Sequence, residues 1–271
     1  MNRTGVLTWG GLGLVLVSVV AHGQNLDCST TRSEPLVGPT SQTSSDYDRP
    51  VSWKLLAPNI LCDQKSIWLF PVRLPQNDNW APALGVVGGT AGLLVLDPSE
   101  GRYFHQTSAY SGFNRVFTSK ATAVAEILVP SSMYLAGWLH KDGHMESSAL
   151  LEGEAVADAE IVATALKDIT SRKRPYSFSS TQNYADSFYD HAGSKVIGGG
   201  GFPSGHTIAA FAIATVIAHR YRQQRWIPYV AFGAATAVGF SRLSLSQHFA
   251  SDVFAGAALG YSISRFVVLR Y

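Results

Sequence analysis

The chain has 271 residues, of which 15% are charged and 46% hydrophobic, with a formal net charge of +2. This length allows one large domain or two small ones with a sizeable core. The near-neutral balance argues against a polyanionic partner such as nucleic acid, whereas the apolar composition leaves both soluble and membrane-associated proteins open.

Residues 1–23 have the pattern of a secretory signal peptide. Arg3 gives the start a positive charge, the apolar run Val6–Val20 follows, and small residues stand at the −3 and −1 positions of a cut before Gln24. The chain is therefore expected to be exported. An N-terminal anchor that stays uncleaved is the alternative.

Residues 24–80 are predicted to form an extended N-terminal arm. Polar residues and prolines dominate its first half, and only Asn59–Phe70 suggests a short amphipathic helix, which Pro71 would stop. The two cysteines of the chain, Cys28 and Cys62, both lie in this arm. In an exported protein such a pair suggests a disulfide, with two free thiols as the alternative.

Residues 81–271 are predicted to form one helical domain. The apolar, glycine-spaced run Ala83–Leu96 suggests a buried helix. Its glycines favour close helix packing over a nucleotide loop, since no strand precedes them and no Gly-Lys-Ser/Thr follows. Asn114–Leu139 suggests a second helix, kinked by Pro130.

Met145–Thr170 is the clearest amphipathic helix, because an apolar stripe recurs along it at helical spacing. Four acidic residues are expected to lie largely off this stripe, namely Glu152, Glu154, Asp158 and Glu160.

A long loop, residues 171–202, follows and ends in a glycine run. Loops of this length in compact domains are usually functional. Gly205–Arg222, Ile227–Phe240 and Phe249–Val268 suggest three more helices. We therefore predict an all-α fold, a single bundle of about six or seven helices with a long active-site loop.

The same helices bear on membrane insertion. A spanning helix takes about 20 mostly apolar residues. The apolar stretches Ile208–Ala218 and Pro228–Phe240 are shorter, and the last predicted helix carries Arg265. This pattern favours a soluble protein, with peripheral membrane contact left open.

Three short motifs stand in the second half of the chain: KDITSRKRP at 167–175, PSGH at 203–206 and SRLSLSQHFASD at 241–252. They resemble the signature K-x6-RP, PSGH and SR-x5-H-x3-D of the type 2 phosphatidic acid phosphatase and vanadium haloperoxidase superfamily, which includes the bacterial class A acid phosphatases. Every specified position of that signature is filled, in order.

Cations and a helix end in these motifs suit a phosphate group. Arg174 and Arg242 offer planar forks for phosphate oxygens, and Lys167 adds a point charge. Ser204 is a natural N-cap, and Gly205 lets the backbone at the start of the next helix approach an anion closely. These five residues are the predicted phosphate-binding set.

The two motif histidines suggest opposite roles. His206 is expected in the first turn of its helix, as general acid for the leaving oxygen. Ser246 is expected to cap the last helix, which would place His248 in the first turn and Asp252 one turn later. Asp252 would then orient His248, and the resemblance implies a phosphohistidine at His248 that water hydrolyses.

The remaining cations and histidines are not predicted to belong to a functional site. His140 and His144 have a zinc-like spacing, but a helix break separates them and no third ligand is evident, so no metal site is predicted. Five other basic residues are expected to be surface charges: Arg172, Lys173, Arg220, Arg222 and Arg225.

The resemblance implies a metal-independent phosphatase of phosphate monoesters in the bacterial periplasm or cell envelope, without a cofactor. Its substrate would be either a soluble phosphate ester or a lipid phosphate, and no nucleic acid partner is expected. One alternative on the same fold is a haloperoxidase, with vanadate where phosphate would bind. A second is a non-catalytic helical envelope protein.

Overall fold

The computed structural model describes residues 49–73, 80–179, 182–189 and 197–270. The predicted signal peptide, most of the arm and Cys28 lie outside these residues. Cys62 is disulfide-bonded. The described residues form eight α-helices and no strand, which confirms the predicted all-α fold. The domain boundaries proposed from the sequence stay a prediction.

The helices, numbered here in chain order, have the following bounds: α1 Leu56–Arg73, α2 Ala81–Gln106, α3 Ser111–Val116, α4 Ser119–His140, α5 Gly143–Thr170, α6 Gly205–Arg220, α7 Ile227–Ser244 and α8 Ala250–Ile263. A short 3-10 helix, Pro175–Ser177, follows α5, and a π-helical turn, Ser264–Val268, continues α8.

Helix α6 lies at the centre of the bundle and contacts α5, α7 and α8. It approaches α8 closely because α8 presents glycines on the facing side. A Cβ at Gly256 would lie 2.8 Å from the Ser204 carbonyl oxygen, and one at Gly260 would overlap the Ile208 carbonyl oxygen. Small residues therefore set the spacing of the two helices that begin at the motif sequences.

Helix α1 passes through Pro71 and ends at Arg73. The predicted stop at Pro71 was therefore wrong by one short turn. Ile67 and Phe70 are buried, and Ile67 joins the main core with Leu151 and Ala155 of α5. Part of the predicted arm is thus a helix that packs on the bundle.

Helices α2 and α4 expose their apolar side chains, so the prediction of a buried helix at Ala83–Leu96 was wrong. Only 17% and 11% of their most apolar 18-residue windows are buried, and both are long and apolar enough to cross a membrane. At 1.5 Å per residue, 26 and 22 residues exceed the roughly 30 Å of a bilayer core. The short stretches that favoured a soluble protein belong to other helices.

The predicted helix at Asn114–Leu139 is two helices. It breaks at Phe117 and Thr118, where the Thr118 side chain accepts a hydrogen bond from the Ala121 N–H at 3.1 Å and caps α4. Pro130 lies inside α4 without interrupting it. The break places the Phe117 carbonyl and Ser119 beside the motif residues.

Helix α5 forms as predicted, but three of its acids are buried rather than off the apolar stripe. Glu152, Glu154 and Asp158 have no exposed surface. Helix α1 and the segment before it cover this face, and Arg49 pairs with Asp63 (2.6 Å) and with Glu154 (3.0 Å). The buried face of α5 is wider than its apolar stripe, because α1 packs polar groups against the acids next to the stripe.

Candidate active site

Four helix ends meet around the motif residues. Lys167 lies in the last turn of α5, Gly205 begins α6, Arg242 lies in the last turn of α7, and His248 stands just before α8. The loop after α5 brings Arg174 to the same place. The structure thus assembles the three motifs into one cluster, although 85 residues of chain separate its ends.

Lys167 lies against the N-terminus of α6. A Cβ at Gly205 would be 2.9 Å from the Lys167 ammonium nitrogen and 3.0 Å from a Glu160 carboxylate oxygen. The ammonium also pairs with Glu160 at 3.6 Å. Because helix N-termini attract anions, the ammonium and the first N–H groups of α6 form a joint anion site that a side chain at position 205 would obstruct.

The glycine run before the second motif has two close contacts. A Cβ at Gly200 would overlap the Lys167 carbonyl oxygen, and one at Gly201 would lie 3.2 Å from Arg174 Cγ. The Gly201 N–H donates to the Arg172 carbonyl oxygen at 2.7 Å. These glycines therefore let the loop lie directly on the end of α5.

His248 is buried and its ring orientation is fixed by the backbone. Its Nδ1 lies 2.7 Å from the Gly201 carbonyl oxygen and 3.6 Å from Asp252 Oδ2. A carbonyl oxygen can only accept a hydrogen bond, so Nδ1 carries the proton and Nε2 keeps a lone pair in the neutral ring. Burial lowers the pKa of His248, and the nearby Arg174 charge lowers it further.

The N-cap of helix α8 lies three positions after the predicted cap at Ser246. Phe249 is its N-cap, so His248 precedes the helix, and Ser246 has a left-handed backbone (φ 53°) instead of capping it. Asp252 Oδ2 accepts the Phe249 N–H at 2.8 Å. The prediction that Ser246 caps the helix with His248 in its first turn was therefore wrong.

Arg172 is buried, so its prediction as a surface charge was wrong. Its Nη2 donates to Asp97 Oδ2 at 2.6 Å, and its Nη1 donates to Asp252 Oδ1. Its guanidinium carbon lies 4.4 Å and 4.3 Å from the ring centroids of Phe188 and Phe249. One arginine thus joins the middle of α2 to the first turn of α8, beside His248.

Of the other four basic residues that were predicted to be surface charges, two are exposed and two are half-buried. Arg222 and Arg225 are exposed, as predicted. Arg220 is half-buried and donates to the Ser148 hydroxyl at 2.9 Å, and the half-buried Lys173 lies 4.6 Å from the Phe178 ring centroid. Neither Arg220 nor Lys173 is a free surface charge.

Arg242 is 1% exposed, and protein groups take up most of its donors. Its Nη2 donates to the Phe117 carbonyl oxygen (2.8 Å) and the Thr122 hydroxyl (3.0 Å), while Nη1 donates to the Ser119 hydroxyl (3.1 Å). Its Nε donates to Ser241. Within the described part of the chain one Nη1 N–H is left, so Arg242 can offer a ligand one hydrogen bond.

Arg174 differs from Arg242 in having its guanidinium available. It is half-buried, and among the described residues its side chain has no hydrogen-bond or ion-pair partner. Its positive charge lowers the pKa of both His206 and His248, which places it near both rings. Arg174 is therefore the arginine best placed to bind an anion with its full fork.

His206 lies in the first turn of α6, with Nε2 3.2 Å from the Ser119 carbonyl oxygen. Burial lowers the pKa of His206 to about 4, and the charges of Arg242, His248 and Arg174 act in the same direction. The ring is therefore neutral at pH 7, with its proton on Nε2 and a lone pair on Nδ1.

Ser204 is the N-cap of α6, as predicted, but its side chain makes no capping bond. Its hydroxyl accepts from the Thr207 hydroxyl at 2.9 Å, and its N–H donates to the Asp252 carbonyl oxygen at 3.1 Å. Ser204 is fully buried, and these bonds connect the start of α6 to the start of α8.

Sequence patterns missed the groups that hold the motif residues in place: Asp97, Arg172, Ser119, Glu160 and Gly201. The buried Asp97 in an apolar helix was the one detectable signal, because an unpaired carboxylate there is costly. His140 and His144 do not belong to the group of potential metal ligands found in the described chain, which is Asp63, Glu154 and Asp158.

Comparison with known proteins agrees with the motifs. The PAP2 superfamily model matches residues 149–271. A curated relative, a lipid A 1-phosphatase of Porphyromonas gingivalis, is 42% identical over 60 residues, which are 22% of this chain and only 14% of that protein. The crystal structure of a transmembrane PAP2-type phosphatidylglycerolphosphate phosphatase from Bacillus subtilis is 18% identical, with a TM-score of 0.41 over 78% of this chain and 92% of that one. The matched residues contain all three motifs, so this part of the chain is similar to the PAP2 superfamily, as the motif resemblance indicated.

Proposed function

We propose that this protein is a phosphatase that hydrolyses phosphate monoesters through a phosphohistidine at His248. The observation that carries the proposal is the His248 ring: its Nδ1 is 2.7 Å from the Gly201 carbonyl oxygen, which leaves the Nε2 lone pair for a nucleophile. The match of residues 149–271 to the PAP2 superfamily model supports the reaction class.

The phosphate would be held by cations and N–H donors, and it would compete with Glu160 for the Lys167 ammonium. Lys167 and the first N–H groups of α6 form one side, and the available guanidinium of Arg174 forms the other. Arg242 adds a single N–H. These donors would neutralise the equatorial oxygens as the bond to the leaving group breaks.

In the first step, His248 Nε2 would attack phosphorus while the bond from phosphorus to the alcohol oxygen breaks. His206 would give its proton to that oxygen, so the alcohol leaves neutral. In the second step His206 would take a proton from water, the water oxygen would bond to phosphorus, and the bond to Nε2 would break. Inorganic phosphate and neutral His248 result.

The acid role requires a proton on His206, whose pKa is lowered to about 4. A bound phosphate dianion would raise that pKa, because negative charge beside an imidazole favours its charged form. Substrate binding would thus protonate His206 at the stage where its proton is needed. Asp252 Oδ2, 3.6 Å from Nδ1, would stabilise the imidazolium character of phosphorylated His248.

We further propose that the substrate is a lipid phosphate of the cell envelope. Helices α2 and α4 expose apolar faces long enough to span a bilayer, and His206 and Arg242 both contact Ser119, the first residue of α4. The name of the curated relative supports a lipid phosphate, although its match covers a small part of that protein. Soluble phosphate esters would be poorer substrates.

Phosphate release by the detergent-purified full chain in EDTA tests this function. Phosphatidic acid in mixed micelles and p-nitrophenyl phosphate should both release phosphate, and His248→Asn should abolish release from both. His140→Asn, at the exposed end of α4, is the matched control and should retain full activity. Absence of release from every ester by the folded wild type would contradict the proposal.

The haloperoxidase alternative makes a distinct prediction for the same preparation. Oxidation of bromide in the presence of vanadate and peroxide, without phosphate release from any ester, would favour it. Under the phosphatase proposal, vanadate is a competitive inhibitor, because it resembles the five-coordinate phosphorus of the transition state.

A further inference from the structure

An apolar cavity of about 360 Å³ lies between α4, α6 and α7. This volume falls within the usual range of small-molecule sites. Alanines on the three facing helices leave the space open, among them Ala125 of α4, Ala214 of α6 and Ala234 of α7. Of the side chains that line it, only Thr122 and Glu126 are polar.

The cavity adjoins the cationic site at two residues. Phe117 and Thr122 line the cavity, and both accept hydrogen bonds from Arg242 Nη2, at 2.8 Å and 3.0 Å. These two residues are the wall that a ligand bound at the cations would reach first. Among the described residues, Glu126 is the one charged side chain that lines the cavity.

Polarity falls off along one face of α4 in steps of about one turn. Thr122, which bonds Arg242, comes first; Glu126 follows four residues later, and Val129 three residues after that. The Glu126 Oε1 atom is buried and has no hydrogen-bond partner among the described residues. The wall thus passes from a hydroxyl, through a carboxyl, to purely apolar side chains.

We propose that this cavity binds one acyl chain of a lipid phosphate, and that Glu126 contacts a hydroxyl or ester group between the chain and the phosphate. The proposal rests on the proposed function and specifies its substrate. The order of groups along the wall matches the order along such a lipid: phosphate, polar linkage, hydrocarbon. The apolar exposed face of α4 provides a route for the chain from a bilayer.

Filling the cavity tests this assignment. Ala234→Trp and Ala125→Trp place an indole in the space from two different helices. Each should lower kcat/KM for a long-chain phosphatidic acid at least tenfold and leave p-nitrophenyl phosphate hydrolysis within about twofold, because each buried CH2 is worth roughly fourfold in binding. Thr236→Trp, at an exposed position of α7 outside the lining, is the matched control and should leave both activities unchanged.

A chain-length series sharpens the test. For wild type, kcat/KM should rise with acyl length and then level off, whereas both cavity-filling tryptophan variants should level off at shorter chains. Equal loss on the lipid and on p-nitrophenyl phosphate, or no loss on either, would overturn the acyl-chain assignment. Failure of the proposed function is distinguishable, because the wild type would then hydrolyse neither ester.

Glu126→Leu provides a second measurement. It should retain p-nitrophenyl phosphate hydrolysis and lose discrimination between a phosphatidic acid and an alkyl phosphate that lacks the ester groups. Unchanged discrimination in a variant that hydrolyses both would exclude the proposed contact of Glu126 with the linkage.

Discussion

The charges around Arg172 and those around Arg49 are both buried between helices, yet they are satisfied differently. Arg172 donates to Asp97 and Asp252 and lies between two aromatic rings. Around Arg49, two acids, Asp63 and Glu154, pair with one arginine, and Asp158 lies beside them with a carboxylate oxygen that has no hydrogen-bond partner among the described residues.

The difference appears in the protonation of the acids. Burial raises the pKa of Glu154 to about 7 and that of Asp158 to about 8. Burial also raises the pKa of Asp97 beside Arg172, but the arginine charge lowers it, and each Asp252 oxygen accepts a hydrogen bond. The cluster around Arg172 fixes the geometry beside His248, whereas the cluster around Arg49 makes the packing of α1 on α5 sensitive to pH. Substitutions in the Arg172 cluster and the phosphate site should therefore change rate, and those in the α1–α5 layer should change stability.

After the loss of activity expected in His248→Asn, the largest expected effect is at His206. His206→Gln should lower kcat by about 10² to 10⁴, because the leaving oxygen loses its proton donor. In wild type, kcat/KM should fall as pH rises above about 4, where free His206 loses its proton, and kcat should fall only at higher pH. Rates measured from about pH 3 to pH 9 check this. A falling basic limb that persists in His206→Gln would remove His206 from the acid role.

The next effect concerns Arg172. Arg172→Gln should lower kcat by roughly 10 to 100-fold with KM for p-nitrophenyl phosphate nearly unchanged, because Asp252 loses its partner while the phosphate cations remain. Loss of the positive charge should also raise the pKa of His248 and move the acidic limb of kcat/KM to higher pH. Asp97→Asn should move that limb the other way, since it removes a negative charge.

A role of Arg172 in folding alone would lower the amount of active protein without moving the acidic limb. Arg220→Gln, outside the motif cluster, is the matched control and should leave the profile unchanged. Shifts of the same sign in Arg172→Gln and Asp97→Asn would contradict an electrostatic effect on His248.

Gly205→Ala should have a smaller effect on the same site. The new Cβ would lie 2.9 Å from the Lys167 ammonium nitrogen and displace it, so KM for p-nitrophenyl phosphate should rise about tenfold. Gly153→Ala in α5, where a Cβ meets no atom within 4 Å, is the control and should leave KM unchanged. Equal KM values for the two variants would contradict the anion site at the start of α6.

The smallest effect is on stability, in the acidic layer. Glu152 is fully buried, neither of its oxygens has a partner among the described residues, and burial raises its pKa to about 8. The contribution of neutral Glu152 to the free energy of unfolding is fully present below the pKa of the unfolded chain. It is lost as pH rises through the pKa of the folded protein. Glu152→Gln should therefore unfold roughly 5 °C above wild type at pH 9 and match it at pH 5.

Thermal unfolding of both proteins at the two pH values checks this, with Glu146→Gln in the first turn of α5 as the control. A difference between Glu152→Gln and wild type that is the same at both pH values would contradict titration of Glu152 as its cause.

Sequence patterns predicted the fold class, most of the helices and the residues that meet at the site, because turns, caps and motif spacing are local. They misplaced contacts that depend on tertiary partners. The local pattern predicts a surface charge at Arg172 because its carboxylate partners lie 75 and 80 residues away. Glu154 and Asp158 of α5 were misplaced for the same reason, since Asn59 and Gln64 of α1 are their partners.

The error at α8 has a local cause. The spacing of four positions from His248 to Asp252 suggests one helical turn, but Phe249 is the N-cap and Asp252 accepts its N–H. The same spacing is compatible with a residue before the helix and one at its third position. Only the backbone conformation distinguishes these arrangements, and the left-handed Ser246 turns the chain so that His248 meets Gly201.

The most direct test of the account is to trap the phosphoenzyme. Wild type mixed with ³²P-labelled phosphatidic acid and quenched in alkali within one turnover should carry label on a single histidine, and peptide mapping should assign it to His248. His248→Asn should carry none. Phosphate release by wild type without label on His248, or with label on another residue, would contradict His248 as the nucleophile.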